Sequence, residues 1–528
     1  MTGTTSEDDP PPQSPEQEGA HLGRGELQQR AIKGATWTLL HTLISMPVAF
    51  LVNILIARVL GTVDYGRLAY LSSVMEIVGG LVSMGVGVGL VQFGSKAHAV
   101  GRPRAVRDLL SKSQGFRLLI DLPVLTLVVL LIANVPPGML ALAVVFGVLA
   151  PAALSGAPAS LGIENKTADA AKNALIMSLV TQLAVVVAAL TIGTADSLWV
   201  TRLVLGGISV GTALIWVSPA YRRAVLRPKL PRNFPPGFWR FALPAAAASI
   251  VGSFVISRTE VLALTWADHK EAAGIYALAF GLSNHIFAPA QALIGPLVPA
   301  VSGLREVDAD AVGPAFHRTI RGTATVVAGL VAVAVPTLAV LIPLIYGADF
   351  SGAGLAFLVL SVGGGFYVLA GPVQAFVQSR LASNELLRLY LIALVVNVGL
   401  MAALIPFFSL WGAVAANLVG ALTALLLMLR GELRGLDVPW HAAASSAAPL
   451  GLGVLGAIAG YAAGSATGLP AIFGAAISAI IGAVTFLLGL RLARTGLSEG
   501  DRVAITSSLP ARLRPSARRI MSLLTYSC

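Results

Sequence analysis

Apolar residues run in blocks of about 17–27 positions from residue 35 to residue 494, parted by short polar turns. At 1.5 Å per residue, a block of that length crosses about 30 Å of hydrocarbon. The pattern predicts an all-α integral membrane protein of about 14 transmembrane helices. Six fall near 35–57, 67–91, 117–135, 139–160, 174–193 and 198–218, and six near 240–265, 274–300, 323–345, 353–379, 389–405 and 411–429. Two more fall near 444–464 and 470–490. Only Val135, Pro136, Pro137 and Gly138 separate the third block from the fourth, a turn that sends the chain straight back. Gly456, Gly460 and Gly464 repeat every four residues, a close-packing face for the thirteenth helix.

Composition supports this reading. The 528 residues are 56% hydrophobic and 12% charged, half the roughly 25% charge of a soluble chain. The first 23 residues are polar and acidic, with clustered Pro, which predicts disorder and is the wrong charge for a secretory leader. The net charge of +11 is distributed by side: 31 of the 36 Lys and Arg residues fall on the side of the N-terminus. The positive-inside rule then puts both termini in the cytoplasm of a bacterial inner membrane. Because these cations are spread over all the inner loops, they exclude a nucleic-acid patch. Cys528 is the single cysteine, so no internal disulfide forms. Gly207 to Gly211 spell G-x-S-x-G inside an apolar helix with no strand before it, which excludes a hydrolase elbow. No P-loop and no metal cluster is present, and no cofactor is implied.

A parallel duplication runs through the chain. Asp64-Tyr65-Gly66-Arg67-Leu68-Ala69 opens helix two and Ala273-Gly274-Ile275-Tyr276-Ala277-Leu278 opens helix eight, with the glycines 208 residues apart. Ser197-Leu198-Trp199 and Ser409-Leu410-Trp411 open helices six and twelve at an offset of 212. An even repeat keeps both halves in one orientation, so two pseudo-symmetric six-helix lobes face each other. The expected plan is a disordered cytoplasmic segment at 1–30, an N-lobe at 31–218 and a basic linker at 219–239. A C-lobe at 240–430, two C-terminal helices at 441–490 and a basic tail at 491–528 follow.

Several stretches resemble a known family. Ala57-Arg58-Val59-Leu60-Gly61-Thr62-Val63-Asp64-Tyr65-Gly66 is similar to the A-R-x-L-G-x-x-D-Y-G element of polysaccharide flippases. These belong to the multidrug/oligosaccharidyl-lipid/polysaccharide exporter superfamily. Arg258-Thr259-Glu260, Gly274-Ile275-Tyr276-Ala277 and Pro299-Ala300-Val301-Ser302 resemble that family's helices seven and eight, with Glu260 where Asp is usual. Tyr346 to Phe350 resembles its turn before helix ten, and Trp411 to Ala416 its opening of helix twelve. The resemblance covers roughly residues 30–430. It implies a flippase, not an enzyme, that moves a polyprenyl-pyrophosphate-linked oligosaccharide to the outer leaflet for cell-surface polysaccharide synthesis. Its partners would be that lipid-linked oligosaccharide, membrane lipids, and a glycan polymerase or glycosyltransferases. Rival readings are a lipid II flippase, a cation-coupled multidrug antiporter, and a non-transporting scaffold of a glycan assembly complex.

Ionisable groups inside the bilayer are costly and so mark candidate sites. Glu76 lies about 13 Å into helix two and is the candidate for a coupling ion. The repeat places it opposite Asn284 and His285, which with Arg258 are the expected substrate-binding residues. A planar guanidinium suits a pyrophosphate bidentately, and Glu260, two residues on, then pairs elsewhere. Arg58 and Asp64 flank the outer end of helix one, either as an outer gate or as a plain interfacial ion pair. Asn53 and Asn397 read as amides that join helices. The cationic stretches Lys96 to Arg117 and Arg222 to Arg240 read as inner loops that set topology and attract anionic lipid.

Overall fold

A computed structural model of the chain describes residues 24–256, 259–291, 310–379, 383–436 and 440–500, with isolated positions outside these ranges. The expected disordered leader, Arg258, Pro299 and most of the basic tail lie outside the described residues. The described chain is helical almost throughout. Ten of its helices are long and apolar enough to cross a membrane, and the protein is a multi-pass membrane protein.

Helix α1 (Arg24–Val82) holds the first expected span and most of the second, with the chain turning between them at Gly61; the second is broken at residues 83–85, where Met84 and Gly85 take positive φ, and does not run unbroken to residue 91. At Gly61 φ is 67° and ψ is −174°, a conformation open to glycine alone. Helices α2 (Val86–Ala99) and α3 (Pro103–Phe116) follow. A π-helical turn, Arg117–Asp121, joins α3 to α4 (Leu122–Ile132). Helix α5 (Pro137–Val144), a second π turn at Val145–Leu149, α6 (Ala150–Leu154) and α7 (Gly156–Ile163) make one return span. Helices α8 (Thr167–Thr191) and α9 (Ala195–Ala213) complete the N-lobe, with α8 against α1 and α9 against α8.

Lys96 to Arg117 is not a loop. It forms the end of α2 and all of α3, because Val106, Leu109 and Leu110 recur at helical spacing and are buried while Arg102, Arg104 and Arg107 face out. The linker also has structure. Helix α10 (Pro219–Leu226) leads into a segment laid on α3, where the Lys229 amide donates to Ser111 O at 2.9 Å. Lys112 Nζ donates to Asn233 O at 3.0 Å.

In the C-lobe are α11 (Phe238–Ile256), α12 (Thr259–Trp266), α13 (Lys270–Gln291) and α14 (Val312–Tyr346). Helices α15 (Ala353–Ser379), α16 (Ser383–Phe408) and α17 (Leu410–Gly435) complete it. Helices α18 (Trp440–Ala466) and α19 (Ala471–Leu492) strap onto the side of α14. The expected glycine ladder is the contact face: Gly456 and Gly460 leave no room for a Cβ, which would fall 2.9 Å from Gly482 O and 2.6 Å from Ser478 O.

Candidate functional site

The chain's basic residues gather at one end of the helix bundle, called here the basic end. At the opposite end the two lobes are sealed together. Gly66 and Gly274, the pair matched by the sequence repeat, meet there. A Cβ on Gly66 would lie 2.7 Å from Gly274 N, and one on Gly274 only 1.8 Å from Thr62 O. Equivalent residues touch only where the pseudo-axis passes, so the repeat sets the place of closest approach. Tyr65 stacks edge-on to Phe350 across the same seam, with ring centroids 5.9 Å apart.

Arg58 belongs to this seam, but not through Asp64. Its Nε donates to Ile345 O at 2.6 Å and its Nη2 to Leu344 O at 2.5 Å. These are carbonyls of the last turn of α14, where the helix leaves acceptors without intrahelical donors and favours a cation. The sequence expectation of an Arg58–Asp64 ion pair is therefore corrected, because the α14 terminus offers the better partner. Arg67, near Asp64, forks onto Asp196 of α9 at 2.6 and 2.8 Å and ties α1 to its own lobe.

The C-lobe holds a polar centre within the membrane. Glu260, fully buried in α12, accepts from Asn397 Nδ2 of α16 at 3.2 Å and from Asn417 Nδ2 of α17 at 3.1 Å. Asn397 also donates to Ala416 O at 3.1 Å, which fixes its amide orientation. Three helices are thus joined by one carboxyl group. Asn417 also lines a small cavity of about 30 Å³, shared with Ser283, Asn284 and Tyr367. That is room for one or two waters or one small ion. Two bare glycines, Gly363 and Gly364, supply part of its wall.

The expected site residues are divided by this geometry. Asn284 faces the C-lobe cavity. His285, one position on and so about 100° around the helix, turns to the other lobe, its ring edge-on to Phe50 of α1 at 6.3 Å. Glu76 is exposed and makes no ion pair or side-chain hydrogen bond with the described residues. The structure therefore does not gather Glu76, Asn284 and His285 into one cluster. Arg258 lies outside the described residues. Of the Glu260 centre, Asn397 was expected to join helices and Glu260 to pair away from Arg258; Asn417 was missed. A lone amide in the apolar run Ala413 to Leu418 was the available signal.

At the basic end the lobes meet where α2 packs on α11. Gly85 abuts Ala242 O and Gly89 abuts the Phe238 ring, each closer than a Cβ permits. Phe238 is fully buried among Phe93, Phe234 and Trp239. Glu164 accepts from Ser218 Oγ and pairs with Lys166 at 2.7 Å. Burial and this nearby carboxylate raise the pKa of the Tyr221 phenol, whose oxygen lies 2.8 Å from His98 Nδ1. Among the described residues no three His, Cys, Asp or Glu side chains converge as a metal site.

Residues 31–304 match a family model described as polysaccharide biosynthesis protein. No curated protein sequence matches the chain. Among solved structures, a lipid II flippase MurJ in an inward-closed conformation superposes with a TM-score of 0.63 at 13% identity, over 85% of this chain and 97% of that one. An inward-facing multidrug resistance MATE family transporter of the MOP superfamily superposes at 0.55 and 14% identity, over 77% and 99%. A MATE transporter of Vibrio cholerae gives 0.51 at 14% identity, over 78% and 98%. At such identities the likeness is one of fold.

Proposed function

The chain belongs to the polysaccharide biosynthesis protein family, and from that premise we propose that it flips a lipid-linked saccharide across the bacterial inner membrane by alternating access. The observation that carries the reading is the seam at Gly66 and Gly274. Two pseudo-symmetric lobes that touch on their own axis at one end can rock about that contact. Closure there, latched by Arg58 on the α14 terminus, makes the basic end, where the lobes now meet through α2 on α11, the end that opens for entry. Under the positive-inside rule that end faces the cytoplasm, where a lipid-linked saccharide is assembled. Family membership supports the substrate class, a saccharide on a polyprenyl pyrophosphate, over a drug cation.

Coupling falls to Glu260 rather than Glu76. An ionised carboxylate out of water is costly unless its charge is compensated. Asn397 and Asn417 donate hydrogen bonds but bring no charge. A proton or a monovalent cation supplies it, and the adjoining cavity offers such an ion a place beside Asn417. Loading or unloading that ion changes how three C-lobe helices are held together, and so couples an ion gradient to lobe motion.

The test uses the full chain in proteoliposomes with a fluorescent saccharide on a short polyprenyl pyrophosphate. Cys528 is replaced by Ser, and Arg58→Cys and Leu344→Cys are bridged with a bis-maleimide. Bridging should stop flipping, while each single cysteine variant, treated alike, retains it. Undiminished flipping by the bridged protein sinks the alternating-access reading. Transport of an amphipathic drug cation instead of the lipid-linked saccharide moves the protein to the antiporter class.

A further inference from the structure

Helix α18 stands off from the helix it follows. Its small-residue face is turned to α14: a Cβ on Gly453 would lie 2.6 Å from Ala328 O, and one on Gly456 would lie 2.9 Å from Ala332 Cβ. That close approach draws α18 onto α14 and leaves a gap on its other side, against α15 and α17. Leu450 reaches α15 at the bottom of the gap, its Cδ1 3.5 Å from where a Gly365 Cβ would be. Above Leu450 the gap opens into a groove of about 430 Å³.

Leu369, Leu425 and Leu429 are buried in the floor with Leu450, whereas Leu426 is 41% and Leu455 58% exposed at the rim. Every described residue that lines the groove is apolar, so water finds no partner in it. Gly451 lies in the wall, and a Cβ there would meet no described atom within 4 Å. Close-packed proteins do not leave such a space empty. An apolar cavity of about 150 Å³ holds one benzene. The groove therefore takes roughly three times that hydrocarbon, on the scale of a fatty-acyl chain.

A cation stands at its mouth. Leu422, Leu426 and Arg430 follow at i, i+4 and i+8 and so share one face of α17. The two leucines line the groove, and Arg430 is exposed beyond them. From Leu410, where α17 begins, Arg430 is about 30 Å along the helix, the thickness of the hydrocarbon. Its guanidinium thus stands at head-group depth on the basic end, where a cation attracts anionic lipid. The groove also backs onto the polar cavity: Tyr367 and Asn417 face the cavity, while Phe366 and Leu422 of the same two helices face the groove.

We propose that the groove between α15, α17 and α18 holds an acyl chain of an anionic phospholipid from the leaflet at the basic end, with the lipid phosphate on Arg430. The lipid is a resident part of the C-lobe and not cargo. It fills the space that α18 leaves by packing on α14, and it braces α15 and α17 from the side opposite Asn417. The assignment stands whether or not the chain flips a saccharide.

The experiment is native mass spectrometry of the full chain in detergent, titrated with dioleoylphosphatidylglycerol, dioleoylphosphatidylcholine and dihexanoylphosphatidylglycerol. The wild type should retain dioleoylphosphatidylglycerol ahead of the other two. Gly451→Phe, which fills the groove, should lower that affinity about tenfold or more. Gly399→Phe, at an equally open glycine of α16, should not. Arg430→Gln should lower the affinity for phosphatidylglycerol a few-fold, to that for phosphatidylcholine, and leave the latter unchanged. Gly451→Phe removes a glycine from a helix interior, so it should fold, and its melting temperature should no longer rise with added phosphatidylglycerol. Equal affinity of the wild type and Gly451→Phe overturns the site. Leu455→benzoylphenylalanine, irradiated in native membranes, identifies the occupant. An adduct of phospholipid mass supports the proposal; an adduct of polyprenyl mass, or of a second copy of the chain, overturns it.

Discussion

Glu260 of the C-lobe and Arg117 of the N-lobe are both charged residues within membrane-spanning segments, and they are held in opposite ways. In the C-lobe, Glu260 is wholly enclosed and meets amide donors from two other helices. In the N-lobe, Arg117 has no acceptor for its Nε, one long contact to Asp121, and a fifth of its side chain open. A closed centre with fixed donors beside a 30 Å³ cavity accepts something the size of a water or a small ion. The N-lobe group is thus an arginine paired at long range with the buried Asp121, and the C-lobe group a carboxyl held by neutral amides.

The comparison breaks most severely at Glu260. Glu260→Ala leaves two buried amides without their shared acceptor, at a cost of about 1–3 kcal/mol for each. Thermal unfolding in detergent should show a large fall in midpoint. Glu260→Gln keeps the volume but sets an amide against two amide donors. It should fold, yet lose its response to an imposed proton or sodium gradient; an unchanged response takes the coupling role away from Glu260.

The seam at the pseudo-axis comes next. A Cβ at Gly274 lands 1.8 Å from Thr62 O, which is backbone and does not yield. Gly274→Ala therefore forces the lobes apart where they now touch, at about 1–3 kcal/mol of overpacking strain. A thiol placed at Thr62 should become reactive to an impermeant maleimide added from the outer face. Unaltered reactivity means that the lobes do not close along that contact.

How much of this was legible beforehand follows from the range of each signal. The spans were, since about 20 apolar residues in a row carry their own message and need no partner. Gly66 and Gly274 were matched by local similarity, although nothing in either segment said that they would touch. Arg117 opens the expected third span, and nothing in the sequence showed that α3 runs through it into α4 across a π turn. The signal that remained was the i, i+4 pair Arg117 and Asp121 with only Leu118, Leu119 and Ile120 between them. Glu260 and Asn417 are 157 positions apart, and only the folded arrangement of α12 and α17 brings them together. Arg58 was legible as a residue of the outer end of helix one, but its partner was not, because the acceptors are backbone carbonyls whose availability depends on where α14 ends.

Arg58 should show a smaller effect than either lobe's centre. It is exposed, so loss of its two carbonyl hydrogen bonds in Arg58→Ala should cost below about 1 kcal/mol. Its consequence is conformational rather than structural: the outer seam loses a latch, and the accessibility of the Thr62 thiol should rise a few-fold with no change in melting temperature. A large loss of melting temperature would mean that Arg58 supports the α14 terminus itself and not the closure of the lobes.

Glu76 sharpens the comparison with the least perturbation. Its side chain is exposed and without a partner among the described side chains, so Glu76→Gln should change stability by no more than about 0.5 kcal/mol. Mid-membrane depth, charge type and a repeat position opposite Asn284 and His285 made it the candidate coupling residue, and in the folded chain no described side chain pairs with it. Side-by-side flipping assays under an imposed gradient decide between the two carboxylates. If Glu76→Gln flips with the wild-type gradient dependence while Glu260→Gln flips without it, the C-lobe carries the ion. The reverse outcome returns coupling to the N-lobe and leaves Glu260 as a structural centre that joins three helices through Asn397 and Asn417.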